Sequence, residues 1–286
     1  MRIYSVISVV IIILIIFISC TKQKVNTHPD LDQKIISLAP SITETLFLLG
    51  VAKHIIGVSE YSSFPEEAKS IQVISTITDM NLELIIKLKP DIAFILPSQT
   101  KFQEQLLKIG IKSHVIDQRS IEKIITSIRS IGEELKLGDR AKIVSDSLSM
   151  ILKNVQAMKP SGKNILVSIG RDHSSDINFI YSAGRKTFID NIITLLGYEN
   201  ALDSDIPYPK ISAETIIRLD PDIIIDLIPL TDKNEIAQAK SSWNSLPSLL
   251  AVKNKNIYLF TSDYATIPGP RIFKFIQELS DTLGEK

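Results

Sequence analysis

The chain has 286 residues, 32 Lys and Arg against 32 Asp and Glu, no formal net charge and one cysteine. No basic run follows the first residues, so the positive face that phosphate binding requires is missing and nucleic acid is excluded as a partner. A lone cysteine forms no internal bridge, so apolar packing must hold the fold.

Met1 and Arg2 open onto an apolar run, Ile3 to Ile18, that closes in "FISC" at Cys20. A basic start, an apolar core and small residues before a cleavage point predict an export signal; an uncleaved membrane anchor is the alternative reading of the same run. The cysteine at its end resembles a bacterial lipoprotein box, with Phe17 where leucine is usual. That resemblance implies a signal peptide over 1–20 and lipidation of Cys20, whose several acyl chains anchor firmly where a single one holds marginally. Thr21–Gln33 is polar and aperiodic, as expected of a tether. Either reading leaves the remaining chain outside the cytoplasm and held at a membrane.

The first element of that chain, "KIISLAP", predicts a strand reaching a turn at Pro40. "SITETLFLLG" then predicts a helix with Ser41 as N-cap, Glu44 completing a capping box, and Gly50 as the stop. "HIIGVS", "DIAFIL" and "SHVIDQ" read as strands, separated by helices over Leu82–Lys89 and Phe102–Ile109. The second half repeats the habit, with strands "NILVSIG", "DIIIDLI" and "NIYLFT" and helices "TFIDNIITLLG" and "AETIIRL". Apolar strands interleaved with helices predict an α/β protein whose sheets are mainly parallel and covered on both faces, in two similar lobes. Between the halves, Asp139–Lys159 carries Ala141, Val144, Leu148, Ile151, Val155 and Met158 at helical spacing. Such a helix is about 30 Å long. It reads either as a strut between lobes or as a surface helix of one of them.

One phrase occurs twice: "ELIIKLKPDI" from Glu83 and "ETIIRLDPDI" from Glu214. Each begins a helix, with Asn81 and Ser212 as the expected caps, and a carboxylate in the first turn of a helix is favourable by itself.

"IISLAPSITETLFLLG", "GVSEYSSFPEEA", "QVISTITDMNLELIIKLKPDIAFI", "TFIDNIITLLGYENA", "YPKISAETIIRLDPDIII" and "YATIPGPRI" together resemble a known family. It is the helical-backbone substrate-binding proteins of ABC importers for cobalamin, haem and iron–siderophore complexes, with the cobalamin binders the nearest likeness. The resemblance implies two Rossmann-like lobes over 34–138 and 160–286, one long bridging helix over 139–159, and a ligand cleft between the lobes. It also implies that Glu83 and Glu214 dock on arginines of a permease dimer with its ATPase subunits. A two-fold partner presents its docking pocket twice, which a pseudo-two-fold face on one chain can match.

For the ligand, the resemblance places Tyr61, Tyr208 and Tyr264 at aromatic cleft positions. Ile77 and Leu96 stand where the cobalamin binders have tryptophan, and Trp243 reads as packing. In "GRDHSSD", Arg171 is a candidate partner for a ligand carboxylate or phosphate and His173 a candidate axial ligand for iron or cobalt, with a solvated polar loop the favoured reading of His173. His28, His54 and His114 are scattered and Met80 reads as a helix-entry contact, so no resident metal or cofactor is expected. Phosphate-loop, HExxH and GxSxG patterns are missing, so no catalytic residue is named. The expected function is capture of cobalamin or a related corrinoid and its delivery to the permease, with an iron–siderophore or haem as the alternative ligand. An extracytoplasmic hydrolase and a structural surface lipoprotein are the other classes.

Overall fold

The computed structural model describes residues 31–76, 78–155 and 161–284. The expected signal segment, Cys20, most of the tether, Ile77, the 156–159 end of the expected strut and Pro160 lie outside the described residues. Within them, no helix is long and apolar enough to cross a membrane.

The first lobe is built on a parallel sheet of five strands in the order β3-β2-β1-β4-β5. They are β1 (Ile35–Ser37), β2 (Ile55–Ser59), β3 (Val73–Ser75), β4 (Ile92–Ile95) and β5 (Lys112–Val115). The second lobe has β6 (Asn164–Gly170), β7 (Phe179–Ser182), β8 (Glu199–Asn200), β9 (Lys210–Ser212), β10 (Ile223–Leu227) and β11 (Ile257–Phe260). Their order is β11-β10-β6-β7-β9, with β8 paired to β6. β7 runs antiparallel to both of its neighbours; the other pairings of this sheet are parallel.

β1, β4 and β10 are buried along their whole length, which is why they read as unbroken apolar runs. Side chains alternate between the two faces. Ile35, Ile92 and Phe94 enter one core of the first lobe, while Ile36, Ala93 and Ile95 enter the core on the opposite face. Ile165, Val167 and Ile225 do the same against Leu166 and Ile224 in the second lobe.

The repeated phrase has a structural meaning beyond its helices. Asn81 Oδ1 accepts the Leu84 N–H at 2.9 Å and Ser212 Oγ accepts that of Thr215 at 3.4 Å, so both expected caps are present. The helices Leu82–Leu88 and Ala213–Leu219 end on left-handed residues, Lys89 (φ 53°) and Asp220 (φ 39°). The Pro-Asp that follows then pins a neighbouring strand. Asp91 Oδ2 accepts the Lys34 N–H at 2.7 Å just before β1, and Asp222 Oδ2 accepts the Asn164 N–H at 2.9 Å at the start of β6. In each lobe the phrase, with the cap two residues before it, therefore starts a helix, turns the chain and registers a neighbouring strand.

The expected capping box at Ser41 is not formed. The helix begins one residue earlier, with Ala39 as N-cap and Pro40 in the first turn, where its missing N–H has no intrahelical partner to lose. Ser41 and Glu44 are buried and used elsewhere. Gly50 ends this helix at φ +80°, as expected.

The expected bridging helix is present over Gly138–Val155, and a second helix accompanies it. Gly138–Val155 puts Ala141 and Val144 against the first lobe's core, Leu148 against both, and Ile151, Leu152 and Val155 against the second. Ile121–Glu134 runs beside it in the opposite sense, with Ile121, Ile124 and Ile125 in the second core and Ile128 and Ile131 in the first. Their crossing needs a glycine: a Cβ on Gly132 would lie 2.2 Å from the Ala141 Cβ.

Candidate ligand cleft

In the first sheet the chain order reverses between β1 and β4, and ligands of open α/β sheets bind beyond the carboxyl ends of strands at such a point. A cleft of about 880 Å³ lies there. The first lobe supplies Leu96, Pro97 and Ser98 after β4, and Gln118 and Arg119 after β5. The second supplies Ile169 near the end of β6, the run Lys186–Ile189, Pro207, Tyr208, Thr266 and Pro268. Its volume suits a large small-molecule ligand, and its walls are mostly apolar with a few polar groups.

Each wall is held locally. Gln99 ties the loop after β4 to the loop after β1: its Oε1 accepts the Leu96 N–H at 2.8 Å and its Nε2 donates to the Leu38 carbonyl at 2.8 Å. Gln118 is buried, accepting from Ser41 Oγ at 2.6 Å and donating to Ser127 Oγ at 3.3 Å. Gly184 lets the chain carrying Tyr208 close over the second lobe, since a Cβ there would lie 2.3 Å from the Ile206 carbonyl oxygen. The Gly184 N–H donates to the Pro207 carbonyl at 2.8 Å.

Two exposed cations stand in the lining, one from each lobe. Asp117 accepts from Arg119 Nε at 2.9 Å and Nη2 at 2.7 Å, and from Lys123 Nζ at 2.6 Å. The Arg119 bond, first among these contacts, holds the Asp117 carboxyl below the usual range. Lys186 Nζ donates to Asp205 Oδ1 at 2.9 Å. These cations, like Gln118, were missed in the sequence; the available signal is their place a few residues beyond the end of a buried strand or before a capped helix.

The expected site residues divide. Tyr208 lines the cleft, and burial pushes its phenol up to about 12. Leu96 lines it too. Tyr61 is 65% exposed at a left-handed position and is not part of the lining. Tyr264 lies two residues from Thr266, but its hydroxyl donates to Glu278 Oε1 at 2.5 Å. Glu83 and Glu214 are exposed and outside the lining. Met80 is buried in the first lobe's core, and Trp243 in the second's.

Arg171 does not face the cleft. It and Asp226 are both 0% exposed in their side chains and meet at 2.7 Å. The desolvated carboxylate in the middle of β10 needs a partner more than a ligand does, and Arg171 supplies it. His173 is half-buried beside this pair and outside the cleft lining. Among the described residues, no three His, Cys, Asp or Glu side chains come together as a metal site.

Burial first, and the Arg171 guanidinium second, hold the His173 imidazole below its ordinary value. The neutral form is therefore the native one, while the unfolded chain takes up its proton near pH 6.5. Its contribution to stability is full above that pH and is lost as pH falls through the lower folded value. Replacing His173 by glutamine is expected to flatten the fall of Tm between about pH 7 and 5. An unchanged slope would assign the acid sensitivity to other groups.

The lobes also meet through charge. Arg271 of the second lobe reaches Glu44 of the first at 2.6 Å while holding Asp263 of its own lobe at 2.8 Å.

Comparison with known proteins adds four findings. The sequence profile of a family described as periplasmic binding protein matches residues 35–264. The uncharacterized ABC transporter substrate-binding lipoprotein YvrC of Bacillus subtilis is 27% identical over 263 residues, covering 88% of this chain and 80% of that one. The vitamin B12-binding protein of Salmonella choleraesuis is 27% identical over 257 residues, covering 88% and 90%. A solved structure described as a possible iron-binding (periplasmic solute-binding) protein of Staphylococcus epidermidis aligns with a TM-score of 0.70 at 27% identity, covering 88% and 98%.

Proposed function

The chain belongs to the periplasmic binding protein family, and from that premise we propose that it is the lipid-anchored substrate-binding component of an ABC importer. It captures cobalamin or a related corrinoid between its lobes and delivers it to a permease served by ATPase subunits. The observation that carries this reading is the cleft itself: about 880 Å³, mainly apolar, and lined by loops of both lobes, with the first lobe's share beyond the carboxyl ends of β4 and β5. Similarity to a substrate-binding lipoprotein and to a vitamin B12-binding protein, each across most of the chain, supports the ligand class and the anchor at Cys20. Both relatives are described as binding proteins, one of them as the substrate-binding lipoprotein of an ABC transporter. Glu83 and Glu214, exposed in the first turn of matching helices, are proposed as the docking carboxylates.

A second reading keeps the role and changes the cargo to an iron–siderophore or haem. Arg119 and Lys186 favour it, because cations on opposite walls suit a chelate bearing carboxylates. Similarity to the possible iron-binding protein points the same way.

Fluorescence titration with cyanocobalamin, haemin and a ferric siderophore separates the two. Cyanocobalamin is expected to quench saturably, and Tyr208→Ala to weaken it roughly 5- to 150-fold, the range expected for losing one buried aromatic face. Siderophore or haemin binding without cobalamin binding would select the second reading. Binding of none of them would remove the chelate reading.

A further inference from the structure

Among the described residues two buried arginine–carboxylate pairs stand out, and they are placed differently. Arg171 and Asp226 lie within one lobe. Arg271 and Glu44 are 227 residues apart in sequence and join the lobes. Arg271 Nη2 donates to Glu44 Oε1 at 2.6 Å, while Nη1 and Nη2 donate to the two oxygens of Asp263 at 2.8 and 2.9 Å. Its guanidinium also lies 3.9 Å from the ring centre of Phe64, again in the first lobe. The side chains of Arg271 and Glu44 are only 10% and 3% exposed.

As a stabilising device this contact is incomplete. Glu44 Oε2 and Arg271 Nε are both buried without a hydrogen-bond partner. A buried pair with an orphaned atom on each member is weak evidence for net stability. Its position is more informative. Ser41, one turn before Glu44 on the same helix, donates to Gln118 in the first wall of the cleft. The segment from Asp263 to Arg271 carries Thr266 and Pro268, which belong to the second wall. Gly269 lets that segment press on the helix, since a Cβ there would sit 3.1 Å from Glu44 Oε2 and 3.2 Å from Ser41 Cα.

We infer that Arg271 is a positioning residue for the cleft: its bond to Glu44 clasps the two walls at a fixed separation and slows escape of whatever lies between them. The kinetic half of this inference rests on the cleft being the ligand site; the mechanical half does not. Glu44→Gln is the suitable variant, because it keeps shape and one acceptor while removing the charge that strengthens the bond. Glu66→Gln, which breaks an exposed ion pair of the first lobe, is the control.

The test uses the purified full chain in two measurements. Small-angle X-ray scattering without ligand is expected to show a larger, broader lobe separation in Glu44→Gln, with the control superposing on wild type. Stopped-flow release of cyanocobalamin, and of haemin in a parallel series, is expected to accelerate roughly tenfold or more in Glu44→Gln, with association changed by less than about twofold. A scattering profile identical to wild type overturns the inference whatever the ligand does. Equal acceleration by Glu66→Gln, or a loss confined to association, overturns it too. If neither probe binds wild-type protein, the chelate reading of the cleft has failed, and the clasp stands or falls on scattering alone.

Discussion

Asp226→Ala is expected to lower the unfolding free energy by about 3–5 kcal/mol, the range seen when one member of a buried pair is removed. Asp226 Oδ2 accepts from Arg171 Nε at 3.0 Å, Arg171 Nη2 at 2.7 Å and Trp243 Nε1 at 2.9 Å. Arg171 spends its remaining donors on the Ala239 carbonyl at 2.6 Å, on Ser242 Oγ at 3.0 Å and on the Asp172 carbonyl at 3.0 Å. Without Asp226 the guanidinium stays buried and loses its counter-charge, and the indole N–H loses its acceptor. For a protein of this size that corresponds to roughly 6–20 °C in Tm. Converting both members to apolar residues, Arg171→Met with Asp226→Leu, is expected to recover most of the loss, because no buried charge is then left alone. Denaturant unfolding of the single and double variants decides it: a double variant no more stable than the single one would rule out the stranded charge as the cause.

Replacing Glu83 and Glu214 together by glutamine is expected to leave ligand affinity intact and uptake reduced roughly tenfold or more, as expected for removing two charge contacts with a partner. Both carboxylates are exposed and neither lines the cleft. The Ser212 hydrogen bond, its largest influence, holds Glu214 below the usual range, so it is fully ionised at neutral pH. The caps at Asn81 and Ser212 remain in the variant, so the helices should persist and Tm should move by only a few degrees. Uptake in proteoliposomes, measured beside ligand affinity, provides the check. Normal uptake would reduce the repeated phrase to its structural work of capping and strand registration. Collapsed affinity would place the glutamates at the cleft after all.

Most of the architecture was legible because it follows from local rules. Buried strands wrote themselves as aliphatic runs, and Asn81, Ser212 and Gly50 marked helix ends by side-chain or backbone chemistry that depends on near neighbours. Misreadings came where a local signal had a distant use. Ser41 and Glu44 have the spacing of a capping box, yet Pro40 already begins that helix, and their oxygens serve Gln118 and Arg271 instead. Arg171 looked like a ligand contact because it stands in a polar loop after a strand. The better clue was Asp226, an acid inside "DIIIDLI": a charge in a strand buried on both faces must find a cation, and the sequence does not say where. The cleft walls were least legible. Arg119, Lys186 and Pro207 follow no period, and they meet only because loops of both lobes converge on the cleft.

The paired helices between the lobes bear on how the molecule is made. Ile121, Ile124 and Ile125 leave the ribosome with the first lobe but find their apolar partners in Phe188, Ile192 and Ile276, synthesised much later. Until those arrive, half of a finished helix must present aliphatic surface to water or to a chaperone. The two halves of this protein are therefore not separable modules: a chain cut after Leu137 would strip the second core of Ile121, Ile124 and Ile125 and leave the first with an unsatisfied greasy edge. Exchange of whole lobes between relatives should fail for the same reason unless the two helices travel together with the core that receives them.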